Sequence, residues 1–224
     1  TRELTLSIGN EIIFQAAENS QEALIQRAKL ALEQTAFDKA NELDENLGKV
    51  KKDVIILSNM MTNIASNPEE YHSRNIFEPS KNDIDKITAQ LLFSSEVVDK
   101  SSPILRQEIG LTANIQDFLI QINTNSNVII SSYVASKNGF TIMVDRFAGR
   151  KFQNSDIKPD FYNATSRPWY IQAKKEDKTI FTDIVIDALG GGPCIICATP
   201  YYANGQFAGV VGMGTFLDNI NEII

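Results

Sequence analysis

Apolar and polar positions along the chain change their period part-way. From about Ser20 to Ser66 apolar residues recur in steps of three and four, from Ala36 and Ala40 through Leu43, Leu47, Val50, Val54 and Leu57 to Met61 and Ile64. This is a heptad-like helical seam. With Gly48 the only Gly in that span and no Pro before Pro68, it predicts a single helix far beyond the usual length of about 11–12 residues. Residues 1–15 alternate only weakly and read as a leader into it. So long a seam needs something to cover it, either the same helix of a second subunit or the face of a following domain. Thr35, Lys39 and Asp44 interrupt a second apolar row, which favours a helix laid partly on its own domain. Asn67-Pro68 ends it.

Helical spacing returns in Asp83–Ser95, with Ile84, Ile87, Leu91 and Leu92, and again from Pro103 to Ile122, where Gly110 marks a break. At Asn127 the period becomes two. Val128–Ala135 and Phe140–Val144 read as strands joined by a Lys137-Asn138-Gly139 turn. A polar stretch covers Asp145 to Asp160. Three more strands follow, at Ile180–Ile186, Cys194–Tyr202 and Gln206–Phe216, linked through Gly190-Gly191-Gly192-Pro193 and Ala203-Asn204-Gly205. Helices first and hairpin-linked strands afterwards give the class α+β with a mainly antiparallel sheet.

The composition narrows function mostly by exclusion. The 224 residues carry a formal net charge of -7, with no basic stripe interleaved with aromatics, so nucleic acid is not expected as a partner. No apolar run approaches the roughly 20 residues of a membrane-spanning helix. His72 is the sole His, which leaves no convincing Ser-His-Asp or Cys-His set. Gly190-Gly191-Gly192 lacks the Lys-Ser/Thr that completes a phosphate loop. No catalytic residue, metal site or cofactor is expected. Cys194 and Cys197 stand three apart in a β-branched apolar run. On a strand they face opposite ways, out of disulfide reach, and read as small buried hydrophobes.

The candidate chemistry lies in Tyr162-Asn163-Ala164-Thr165-Ser166-Arg167-Pro168-Trp169-Tyr170, which holds the only Trp of the chain. Pro168 pushes Arg167 towards an extended backbone and suits the first turn of a helix. A planar guanidinium held there beside aromatic rings can grip a carboxylate with two parallel hydrogen bonds. The same residues also fit a structural knot, with Trp169 in the core and Arg167 paired to an acid. Residue types leave both readings open.

With the later blocks Arg167-Pro168-Trp169-Tyr170-Ile171-Gln172-Ala173, Thr182-Asp183, Asp187-Ala188, Ala198-Thr199-Pro200-Tyr201-Tyr202 and Gly209-Val210-Val211-Gly212, nearly the whole chain resembles the Cache family of extracytoplasmic sensor domains. The nearest likeness is to the ligand-binding, membrane-distal half of the double Cache type. The resemblance implies a long N-terminal helix packed on a PAS-like antiparallel sheet of about five strands with flanking helices. It implies an input domain of a membrane-anchored bacterial receptor on the extracytoplasmic face, feeding a chemotaxis, kinase, cyclase or phosphatase output. Residues 1–66 would be the helix and leader, and 67–224 the ligand-binding domain without the second, membrane-proximal module. A homodimer through the long helix is the expected assembly, and the chain, which opens at Thr1, is read as a processed or trimmed piece.

In amino-acid-binding members, residues matching Tyr162, Arg167, Trp169 and Tyr170 hold the ligand carboxylate. Asp187 matches one of the groups that hold the amine. Val185 stands where a Tyr is expected and Gly214 where a second Asp is expected. The resemblance therefore implies a small carboxylate or amino-acid-like ligand, with a carboxylate lacking an amine favoured. Asp183 is a candidate replacement for the lost acid, and Tyr133, on the first hairpin strand, completes the candidate set. The competing reading is a structural, dimerising module with a vestigial pocket.

Overall fold

A computed structural model gives the structure over residues 2–80, 86–146, 162–188 and 192–216, with residues 2–13 as helix backbone alone. Helix α1 spans Arg2–Ser66, so the stretch expected as a leader is helical from Arg2. Residues 1–45 form one compact unit and 46–224 a second. In the first, large apolar side chains such as Leu24, Ile25, Leu32 and Phe37 are exposed. In the second, the continuing seam at Val50, Val54, Leu57, Met61 and Ile64 is buried, so this part of the helix is laid on its own domain.

Among the described residues the sheet has seven strands, all paired antiparallel: β1 (Ala89–Phe93), β2 (Ser131–Ser136), β3 (Phe140–Asp145), β4 (Ile180–Phe181), β5 (Val185–Ile186), β6 (Pro193–Ala203) and β7 (Gln206–Phe216). Their order is β1–β3–β2–β7–β6–β4, with β5 also pairing β6. The β2–β3 turn uses Gly139 at φ 88°, and the β6–β7 turn places Asn204 and Gly205 at φ 50° and 77°. Two successive positive φ values make the hairpin turn whose twist matches the strands.

Two expectations are corrected. The first is the strand count, seven against about five, because Ile180–Ile186 divides into β4 and β5 and because β1 is a strand. The second is the helix over Asp83–Ser95: Ala89–Phe93 is β1, while 81–85 lie outside the described residues. Gln90, Leu91, Leu92 and Phe93 are buried in succession. Leu91 and Phe93 join the core on one sheet face and Leu92 the core on the other. A short strand covered on both faces is a continuous apolar run, which helical spacing mimics by chance. Its outer edge is not bare, since the Leu91 N–H donates to the Phe77 carbonyl at 2.8 Å.

The expected helix from Pro103 comes in two pieces, α2 (Pro103–Thr112) and α3 (Gln116–Asn125), separated by a 3-10 turn at Ala113–Ile115. The break falls after Gly110, which has a different task. A Cβ there would sit 1.9 Å from Ser73 Oγ, and the Arg74 N–H donates to the Gly110 carbonyl. Glycine lets the 71–80 segment cross the helix at contact.

Alternation along the strands builds two cores. Val134, Ile142, Val144, Cys197, Val211 and Met213 pack with the buried stripe of α1 and with Ile115 and Leu119. Their neighbours Tyr133, Ala135, Met143, Ile196, Ala198 and Val210 pack on the other face with Trp169, Tyr170 and Ala173 of helix α4 (Pro168–Glu176). Cys194 and Cys197 are buried and divided between the two faces, as a strand requires.

Candidate ligand pocket

The second face is incompletely filled, and the reason lies in β7. Tyr133 is in register with Gly212, and Ser131 with Gly214. A Cβ on residue 212 would come within 2.4 Å of the Tyr133 ring, so the missing side chain there is the space that ring occupies. A Cβ on residue 214 would meet Ser131 Oγ at 2.6 Å and the Tyr133 hydroxyl only at 4.0 Å. Ser131 and Gly214 together line a hollow of about 320 Å³. That is at the small end of the roughly 300–1,000 Å³ typical of ligand pockets.

The motif segment forms the wall opposite the sheet. Ala164–Ser166 is a 3-10 turn, tied by hydrogen bonds from Thr165 Oγ1 to Asn163 Oδ1 and from Ser166 Oγ to the Asn163 carbonyl. Arg167 follows in extended conformation, at φ -81° and ψ 146°, as the N-cap residue of α4 with Pro168 inside the first turn. Its carbonyl accepts from the N–H groups of Tyr170 and Ile171. The backbone is thereby committed on both sides, and the Arg167 side chain lines the hollow. Its Cζ lies 5.3 Å from the centre of the Tyr162 ring, within cation–π range. Its Nε is buried with no hydrogen-bond partner.

Rings make up much of the lining. Trp169 rests on Tyr133 with ring centres 4.7 Å apart. Burial pushes the Tyr162 phenol up to about 12, opposed by the Arg167 cation. Burial also holds the Tyr133 phenol well above its usual range, helped by nearby Tyr162, Cys194 and Asp187. Both hydroxyls keep their protons at neutral pH and remain donors. Asp187 lies just past β5, where its N–H donates to the Gly192 carbonyl at 2.8 Å.

Of the seven candidate residues, Tyr133, Tyr162, Arg167, Trp169 and Asp187 line one hollow. Tyr170 does not line it: it is buried behind Trp169, edge-on to it at 5.7 Å, and borders a separate cleft with Lys137 and Lys174. Asp183 is exposed in the link between β4 and β5 and is not part of the lining. Ser131 and Asp145, which line the hollow, were not singled out from the sequence. The hairpin register held the signal, since pairing outward from Ser136 and Phe140 brings Asp145 opposite Ser131. Among the described residues no cluster of three acidic, His or Cys side chains could hold a metal, and no helix is long and apolar enough to cross a membrane.

Residues 115–222, just under half the chain, match the family described as methyl-accepting chemotaxis protein-like, first PDC sensor domain. This part of the chain is similar to the PDC-type, or Cache-type, sensor domains. The match takes in the β2–β3 hairpin, the motif, α4 and the last strands, and so every lining residue named above. The family is one of sensing domains and not of enzymes.

Beyond the family, the chain is 30% identical over 125 residues to the methyl-accepting chemotaxis protein PscA of Pseudomonas syringae pv. tomato. That stretch is 56% of this chain and spans 17% of the relative's length. Among solved structures, the chain resembles the ligand-binding domain of the Pseudomonas fluorescens chemoreceptor CtaA, solved with L-leucine (21% identity, TM-score 0.45, 83% of this chain and 61% of that one). It also resembles that of the Campylobacter jejuni chemoreceptor Tlp3, solved with L-norvaline (15% identity, TM-score 0.42, 80% and 59%).

Proposed function

We propose that the hollow binds a small carboxylate and that the chain is the extracytoplasmic sensing part of a bacterial membrane receptor of the chemotaxis type. The observation that carries this is Arg167. Its guanidinium lines an enclosed, ring-walled space, and its Nε is buried without a partner. A buried unpaired donor on a cation is costly, and an arriving carboxylate removes that cost with two parallel hydrogen bonds. Tyr162 lies against the cation and lines the hollow, where its hydroxyl offers the ligand a further donor. Tyr133 adds a second hydroxyl, and Asp187 faces the ligand's donor. Tyr170 supports Trp169 from behind.

In this reading residues 1–66 are the helical stalk and 67–224 the sensing domain. The exposed apolar side chains at Leu24, Ile25, Leu32 and Phe37 support a homodimer through α1, which sedimentation equilibrium of the chain tests. Ligand biases such a receptor only by binding one of its two states more tightly. The pocket itself is tested by a thermal-shift screen of small carboxylates and amino acids. A bound ligand at about a hundred times its Kd stabilises by roughly 2.7 kcal/mol. Arg167→Ala is expected to remove the rise in Tm. If no carboxylate moves the wild type, the hollow is vestigial and the domain is a structural, dimerising module.

A further inference from the structure

Helix α4 has a second lined face, away from the hollow. Tyr170 and Ile171, with Lys174 and Lys175 one turn further on, line a separate cleft of about 450 Å³. Thr165, from the turn before the helix, and Lys137, from the β2–β3 turn, complete the lining. The Lys137 N–H donates to the Ala208 carbonyl at 2.9 Å, which ties that turn to β7. Lys174 Nζ sits 5.2 Å from the centre of the Phe207 ring, within cation–π range. Phe207 in turn stands edge-on to Tyr170 at 6.1 Å. The cleft is therefore framed by three elements, the motif helix, the first hairpin and the last strand.

Half of the lining is lysine, on a chain whose formal net charge is -7. Among the described residues none of the three ammoniums has an ion-pair partner. The neighbouring acids are engaged elsewhere, Glu176 with Gln172 and Lys178, and Glu108 with Ser136 and Asn138. Lysines in the last turn of a helix offset its negative end. That accounts for Lys174 and Lys175 but not for Lys137, which arrives from another element. Like charges gathered in one cleft repel, and a counter-charge relieves them. Tyr170 adds a hydroxyl, and burial pushes its phenol up to about 12, so it remains a donor at neutral pH. We propose that this cleft is a second ligand site, for a small polyanion of the phosphate class with two or more phosphoryl groups. The donors set the class. An ammonium is a point charge that suits a tetrahedral oxyanion, whereas a planar carboxylate is best gripped by the fork of an Arg, and no Arg lines the cleft. This inference does not rest on the reading of the hollow, although the two sites are neighbours: Tyr170 borders the cleft and lies against Trp169, which lines the hollow.

The test is calorimetric titration of the 224-residue chain with sodium pyrophosphate and with sodium citrate, at low and at physiological ionic strength. Pyrophosphate is expected to saturate one site per chain, more tightly at low ionic strength, and to bind more tightly than citrate. Lys137→Gln, Lys174→Gln and Lys175→Gln, all at exposed positions, are each expected to weaken it about three- to fivefold, and the triple variant at least about tenfold. Lys100→Gln, outside the cleft and paired with Glu78, and Arg167→Ala are expected to leave pyrophosphate binding unchanged. If the triple variant does not fold, the single variants decide. Equal weakening by Lys100→Gln marks diffuse surface attraction and overturns the site. Loss in Arg167→Ala with retention in the triple variant places the anion in the hollow, which overturns the cleft and leaves the pocket reading standing. Tighter binding of citrate overturns the phosphate class, and no binding of pyrophosphate at low ionic strength overturns the proposal outright.

Discussion

The two faces of the sheet are built from the same strands and have opposite fillings. On the α1 face, aliphatic side chains such as Val134, Ile142, Val211 and Met213 meet Leu57 and Met61, and all are buried. On the α4 face, one residue along, the Tyr133 ring lies over Gly212 and carries Trp169 against it. Branched aliphatics interdigitate to close packing. Rigid rings set against glycines leave a space of fixed shape. One face is therefore filled by interlocking aliphatics, and the other contains the hollow lined by Tyr133, Trp169 and Gly214.

Substitutions that break this contrast rank by expected cost. Leu57→Ala, at a fully buried position, should destabilise most, by about 2–5 kcal/mol, read from the midpoint of urea unfolding. Gly212→Ala should cost about 1–3 kcal/mol, because the Tyr133 ring at 2.4 Å from the new Cβ is wedged against Trp169. Near-ultraviolet circular dichroism of the rings should change with it. A neutral outcome would show that the α4 face is slack. Arg167→Ala should change the ligand-free protein least, by under about 1 kcal/mol. A loss as large as that of Leu57→Ala would make Arg167 a structural residue.

Alkaline pH loads both faces at once. Burial pushes the Cys197 thiol, on the α1 face, from 9.0 to about 12, and the Tyr162 phenol, on the α4 face, from 10.0 to about 12. In both cases the folded chain holds the proton more tightly than the unfolded chain. Stability is therefore intact below about pH 9 and falls as pH rises towards about 12. Unfolding midpoints measured on either side of about pH 9 check the sign. Tyrosinate absorbance that develops only with unfolding assigns part of the loss to the pocket rings.

Most of the fold was legible because its signals are local. The seam of α1, the Asn138-Gly139 and Asn204-Gly205 turns and the long closing strands each announce themselves within a few residues. β1 was not legible, since burial on both faces erases the period that separates a strand from a helix. In the pocket, Arg167, Trp169 and Tyr162 stand in one short segment and could be read together. Asp145 could not, because its place depends on a register counted from a turn six residues away and on a glycine in another strand. Tyr170 and Asp183 show the converse, with sequence proximity to the motif that did not become a place in the lining.

The end of β3 has one more consequence. Asp145 borders the hollow, while the next residue, Arg146, donates to the Asn123 and Ser126 carbonyls at the close of α3. The partner strand repeats the arrangement, with Ser131 at the hollow and the Ser132 hydroxyl accepting from Asn123 on the far side. The end of α3 in turn flanks a groove shared with Val50 and Asp53 of α1. Asp145 in the lining and Arg146 on the carbonyls at the end of α3 are separated by a single peptide unit, so the rim of the chamber and the helical scaffolding share one stretch of backbone.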